Sequence, residues 1–167
     1  MLFRSDQTDA SSVARVHRHL PASDVPALLT HRFQIINLWR PIHHAAWDWP
    51  LTLCDYRSVD TARDLAPTTL KYPDRDGETM SVRYNPSHKW KYLKGMQPDE
   101  IVLIKWCVDP CYAVLNLISS CCSFDSKNDG KTARLTPHTA FDDTTKPEGA
   151  PLRESIELRF LVFYEDQ

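Results

Sequence analysis

Ser155-Ile-Glu-Leu-Arg-Phe-Leu-Val-Phe-Tyr164 closes the chain, and its first six residues alternate polar and apolar. A period of two places every second side chain on one face, which is the signature of a half-buried strand. Working outward, Phe33-Gln-Ile-Ile-Asn-Leu-Trp39 is rich in β-branched and aromatic residues and stops near Pro41, so it predicts a second strand of about seven residues. Ile101-Val-Leu-Ile-Lys105 has a buried-strand pattern, and Trp47-Asp-Trp-Pro-Leu-Thr-Leu-Cys54 holds a short strand after Pro50. Leu70-Lys-Tyr72 and Thr79-Met-Ser-Val-Arg-Tyr84 flank Pro73-Asp-Arg-Asp-Gly77, a turn-forming run, and together predict a hairpin. Residues 13–32 are helical in pattern, broken at Pro21, with Ser23 or Asp24 placed to cap a short helix through Leu29. Twelve prolines against four glycines imply short, stiff connections. The fold class is mainly β, a sandwich or jelly roll with short helices near the N-terminus.

At 167 residues the chain fits one domain, 1–167, with a real core. A net charge of −2 gives no reason to expect a nucleic-acid partner or an anionic membrane surface. No apolar run is long enough to span a membrane, and no leader pattern opens the chain, so the expected location is cytoplasmic. Cys107, Cys111, Cys121 and Cys122 crowd one window while Cys54 stands apart. Cys107 and Cys111 could form one zinc knuckle, but two adjacent cysteines make a poor second, and a disulfide framework does not suit that compartment.

Seven histidines offer candidate ligands. His17 and His19 sit in an arginine-rich helical run, and His31, His43 and His44 flank the first long strand, where loop or surface roles are ordinary. His88, in Asn85-Pro-Ser-His-Lys-Trp90, is a candidate to line a site. His138 stands out through its setting, since Thr136-Pro-His-Thr-Ala-Phe141 leads through a proline-bearing loop to Arg153-Glu-Ser155. A jelly roll that holds ferrous iron uses two imidazoles and one carboxylate. A planar guanidinium can grip the tail carboxylate of a 2-oxo acid, and a hydroxyl two residues along shares its face. Taken alone, Arg153-x-Ser155 is also the ordinary start of a surface strand. His138 and Arg153 are expected to lie near one another, on neighbouring antiparallel strands joined by residues 142–151.

Several longer blocks carry a resemblance. Arg15-Val-His-Arg-His-Leu-Pro21, Gln34-Ile-Ile-Asn-Leu-Trp-Arg-Pro-Ile42, Cys54-Asp-Tyr-Arg-Ser-Val-Asp60, Tyr84-Asn-Pro-Ser-His-Lys-Trp-Lys-Tyr92, Asp99-Glu-Ile-Val-Leu-Ile-Lys105, Thr136-Pro-His-Thr-Ala-Phe141 and Pro151-Leu-Arg-Glu-Ser-Ile-Glu-Leu-Arg159 occur in that order. The chain resembles the C-terminal part of fungal AsaB-type hydroxylases/desaturases, relatives of gibberellin desaturases and the cephamycin methoxylase component. The resemblance implies an N-terminally truncated, incomplete double-stranded β-helix. It also implies Fe(II) and 2-oxoglutarate as cofactors and a small secondary metabolite as substrate. Asp6 matches the carboxylate ligand and His138 the distal imidazole, with Arg153 and Ser155 on 2-oxoglutarate and Arg159 as the alternative cation. Asn37, Trp39 and Arg40 would line the pocket. The position of the first imidazole holds Arg4, so the chain is expected to be catalytically inactive as it stands. The alternative is a non-catalytic remnant, or a β-rich module that binds a small molecule without turnover.

Residues 106–123 fall outside every block. Ile104-Lys105 and Phe124-Asp-Ser126 resemble one family stretch split by foreign residues. Codons for Trp106-Cys-Val and Cys122-Ser123 can supply an intron donor and acceptor whose removal leaves a single cysteine codon in frame. The window is therefore expected to be a foreign insertion, and strands unpaired by truncation are expected to favour self-association.

Overall fold

The computed structural model describes residues 3–5, 8–104, 124–129 and 133–165. The chain begins with β1 (Phe3–Ser5), α1 (Asp9–His19), α2 (Val25–Leu28) and the long strand β2 (Phe33–Pro41). Next come β3 (Leu51–Cys54), the short helix α3 (Thr61–Asp64) and the hairpin of β4 (Leu65–Lys71) with β5 (Asp76–Val82). The second half supplies β6 (Trp90–Tyr92), β7 (Val102–Ile104), β8 (Phe124–Asp125), β9 (His138–Ala140) and β10 (Ser155–Phe163). Two sheets result. One has six strands in the order β4-β5-β1-β9-β3-β6, and the other runs β10-β2-β7 with β8 also on β2. The mainly β jelly roll expected from the sequence is the fold observed. Among the described residues no helix is long and apolar enough to cross a membrane.

Sequence chemistry explains the framework. Thr8 starts α1 through a capping box, its side chain accepting from the Ser11 amide while Ser11 reaches back to the Thr8 amide. Leu20 ends the helix, with Pro21 next in the chain, as the break at Pro21 predicts. Asp24 occupies the cap position of α2 without a side-chain capping bond. Its carboxylate instead accepts from Ser23 Oγ at 2.7 Å, so neither residue caps in the expected way. Pro67 is tolerated in β4 because that strand lies at a sheet edge. The hairpin closes earlier than the turn run implied, with Lys71 opposite Asp76.

The odd-numbered residues of β2 organise two apolar clusters. Trp39 packs with Leu53, Val102, Ile104, Ala46 and Met96. Phe33 and Ile35 pack with Val16, Val25 and Phe124, which seals both helices against the sheet. Asn37, fully buried, lies between the two clusters on the same strand. The interior is thus apolar at both ends of β2 and polar at its middle.

Candidate active site

Directly opposed residues of antiparallel strands share a face. Leu53 pairs with His138, His138 with Arg4, and Arg4 with Ser81, so these positions form one row across the six-stranded sheet. Leu53 packs against Trp39 of the other sheet, which puts Leu53 and His138 on the inner face. On the opposing sheet Asn37 pairs with Arg159, Trp39 with Glu157 and Pro41 with Ser155. His138 and the β10 residues therefore approach the interior from opposite sheets.

This corrects one expectation. β9 and β10 are not neighbouring strands; residues 142–151 carry the chain from one sheet to the other. The loop crosses because the inner faces of both sheets are apolar at their ends and must be buried against each other.

His138 is half-buried, and its Nδ1 lies 3.0 Å from the Thr136 carbonyl oxygen. A carbonyl only accepts, so Nδ1 carries the proton, and in the neutral ring the lone pair sits on Nε2. Metal-binding imidazoles are commonly oriented by this kind of Nδ1–H to carbonyl bond. Arg153 lies at the Trp39 end of the interior, its guanidinium carbon 5.8 Å from that ring's centre. One of its terminal nitrogens donates to the Trp49 carbonyl, and its amide reaches Asp48 at 3.4 Å. Burial lowers its pKa, with Asp48 opposing the shift. Asp48 also receives Lys146 Nζ at 2.7 Å, a bond that lowers the carboxyl's pKa against the effect of burial. The bond to the Trp49 carbonyl uses one of the five N–H donors of the Arg153 guanidinium.

Arg159 is held differently. Its Nε donates to Asn37 Oδ1 at 2.8 Å and its Nη2 to Glu157 Oε1 at 3.0 Å, while Asn37 Nδ2 donates to the same carboxylate at 3.0 Å. Arg159 also borders a cleft of about 530 Å³ that Arg15, Arg18, Glu78 and Thr79 line. Trp39 lies on the inner face as expected. Arg40 does not: it occupies the opposite face of β2, where it donates to the Pro98 carbonyl at 2.8 Å. Polar residues at inward parity on two long strands were the signal that singles out Asn37, Glu157 and Arg159 together.

His88 lies elsewhere. Its side chain is 2% exposed and meets Asp64, 6% exposed, at 2.9 Å. Asn85 Nδ2 donates to both oxygens of the same carboxylate, and Trp90 lies edge-on to the imidazole.

The three-donor ferrous site implied by the resemblance does not fit this chain. Position 4 lies directly across the strand pair from His138, where a second imidazole would be needed. Arginine has no lone pair to give and keeps its positive charge in proteins. Asp6 lies outside the described residues. Among the described residues, no three His, Cys, Asp or Glu side chains gather in a metal-binding group.

Comparison with known proteins agrees with the architecture. A family model described as "Oxidoreductase/YMDC permease-like domain" matches residues 3–163. The Aspirochlorine biosynthesis protein N of Aspergillus oryzae is 38% identical over 96% of this chain and 60% of its own length. The hydroxylase/desaturase asaB of Aspergillus flavus is 36% identical over 89% of this chain and 63% of its own. The solved structure of the iron and alpha-ketoglutarate-dependent endoperoxidase NvfI superposes with a TM-score of 0.78 at 27% identity, over 97% of this chain and 53% of that one. The chain therefore spans about half to three-fifths of these proteins' lengths. The chain belongs to the oxidoreductase family of the fungal AsaB-type hydroxylases and desaturases.

Proposed function

We propose that this chain carries the oxygenase fold of the Fe(II)/2-oxoglutarate-dependent hydroxylases and desaturases without their turnover. The observation that carries the reading is the register of β1 and β9. His138 keeps an imidazole oriented by the Thr136 carbonyl, and the residue opposite it is Arg4. Arginine at that position has no lone pair to give a metal, unlike the imidazole the family places there. In this reading Asp6 and His138 are what remains of the ligand set, with Arg153 and Ser155 the cosubstrate contacts. Substrates of a fuller relative are small secondary metabolites, and a cytoplasmic location goes with them.

Binding without turnover is a second reading, favoured by the cleft beside Arg159. Its arginines could hold an acidic small molecule with no metal involved.

Succinate formation from 2-oxoglutarate is the test of the main reading. The purified chain should form none above the no-enzyme rate with ferrous iron and ascorbate supplied. Succinate that disappears in His138→Ala would overturn it.

A further inference from the structure

We infer that Asp48 and Trp49 are positioning residues for Arg153, a strained turn that holds its guanidinium over the Trp39 ring to meet the far carboxylate of a 2-oxo dicarboxylic acid. The inference deepens the proposed function and rests on its reading of Arg153 as a cosubstrate contact.

Trp49 is, among the described residues, the one non-glycine residue with a positive φ, at 44°. The other described left-handed positions are glycines, Gly95 and Gly149. A bulky side chain in that region is strained, and Pro50 adds to the strain because proline drives the residue before it toward extended backbone. Such strain persists only where the surroundings over-determine it. On one side of the turn the Ala46 amide donates to the Met96 carbonyl at 2.8 Å. The Trp47 ring lies against Gly95, where an added Cβ would come within 2.5 Å of it. On the other side Pro50 is fully buried. Between these anchors Asp48 is 7% exposed, whereas Trp49 is 45% exposed, so burial of the Trp49 ring is not what holds the turn.

What the turn presents to the rest of the molecule is a set of acceptors. Asp48 Oδ1 accepts from Lys146 Nζ at 2.7 Å, and Oδ2 accepts from the Arg153 amide at 3.4 Å. The carbonyl of the next residue, Trp49, accepts from Arg153 Nη1. Two consecutive residues thus hold Arg153 by its main chain and by its guanidinium. Lys146 also donates to Asp142 at 3.1 Å, so the Asp48 carboxylate joins the turn, the loop that crosses between the sheets and the approach to β10. Rotation about φ of Trp49 swings that residue's own carbonyl, so the bond to the guanidinium depends on the strained angle. Asp48 supplies the anchor that keeps the angle.

Modification of arginines by phenylglyoxal, read peptide by peptide in a mass spectrometer, tests the positioning without any ligand. In the unaltered chain Arg153 should react slowly beside Arg57, whose side chain is 85% exposed. Asp48→Ala should raise the Arg153 rate severalfold while Arg32, bound to Asp125 at the Phe33 end of β2, keeps its rate. Adding Trp49→Gly should restore the slow rate, because glycine holds a positive φ without the anchor. Loss of packing alone would not be rescued in this way. If Asp48→Ala speeds Arg32 together with Arg153, the fold has loosened. Lys146→Ala, at a side chain 31% exposed, then takes its place with the same expectations. An Arg153 rate unmoved in the folded variant, or not restored by glycine, would overturn the positioning. 2-Oxoglutarate should slow Arg153 further in the unaltered chain, and the monocarboxylate 2-oxobutyrate should not. Without that protection the carboxylate half of the inference falls together with the reading it rests on, whereas unmoved rates with protection intact overturn the positioning alone.

Discussion

Asp64 keeps its charge in the interior because three donors turn toward it. Burial pushes its carboxyl up, but the bond from His88, the Asp60 amide at 2.9 Å and Asn85 together outweigh that and hold it below the usual range. His88 is 2% exposed, so its removal takes one of three donors from a buried carboxylate. His88→Ala should cost about 1.5–3 kcal/mol, the usual range for a hydrogen bond to a charged group. Urea unfolding measures this directly, and a loss under about 1 kcal/mol would show that the pair does not hold the 83–90 segment to α3. The pair escaped sequence reading because its members are 24 residues apart and nothing local marks Asp64 as buried. His138 was legible as a residue type, from the Thr-Pro-His run and the Arg-x-Ser after it. The bond that orients it was not, since it depends on a carbonyl two residues back turning inward.

β7 and β8 present a single strand with a break in it. Ile104 lies opposite Asn37 and Phe124 opposite Ile35, so only Ile36 of β2 separates the two pairings. Residues 106–123 lie outside the described residues, yet the chain on either side of them meets β2 at almost the same place. The far side is firmly held. Phe124 packs 5.3 Å from Phe33, and Asp125, fully buried, takes Arg32 Nη2 at 2.6 Å and Gln34 Nε2 at 2.6 Å. We propose accordingly that the window is foreign to the fold. Without it Lys105 would fall opposite Ile36 and the strand would run on in register, while the one cysteine left by splicing would add a bulge. Replacing 106–123 by a single cysteine should raise the melting temperature, and the mature transcript should lack the window. A lower melting temperature, or a transcript that retains the window as its main form, would contradict this. Strand length decided what else was legible. β10 opens with a visible period of two and β2, equally nine residues long, is marked by β-branched and aromatic residues, whereas β1, β8 and β9 have two or three residues and are strands only by virtue of their neighbours. No period can be read from so few residues, and for the same reason the placement of β9 and β10 in different sheets was hidden.

Across the molecule, several carboxylates between the strands have lowered pKa values. Arg57 holds Asp55 down at about 2. Lys146 lowers Asp48, Thr145 lowers Asp143 and His43 lowers Glu154. A carboxyl depressed in the folded state contributes stability that is present above its unfolded pKa of about 4 and lost as pH falls through the folded value. The melting temperature should therefore be nearly flat from pH 7 to about 5 and fall steeply between about pH 4 and 2. Scanning calorimetry across that range checks it, and a melting temperature still level at pH 3 would contradict it. Each exposed pair contributes little by itself, so the fall should be the sum of several small losses.

At the same scale stands the central proposal, that this part of an oxygenase fold lacks a working metal site because of one position. Anaerobic titration of ferrous iron into the chain with 2-oxoglutarate, monitored by visible absorbance, tests it most directly. The chain should develop no charge-transfer band, and Arg4→His should acquire one that His138→Ala then abolishes. A band in the unaltered chain that depends on His138 would contradict the account.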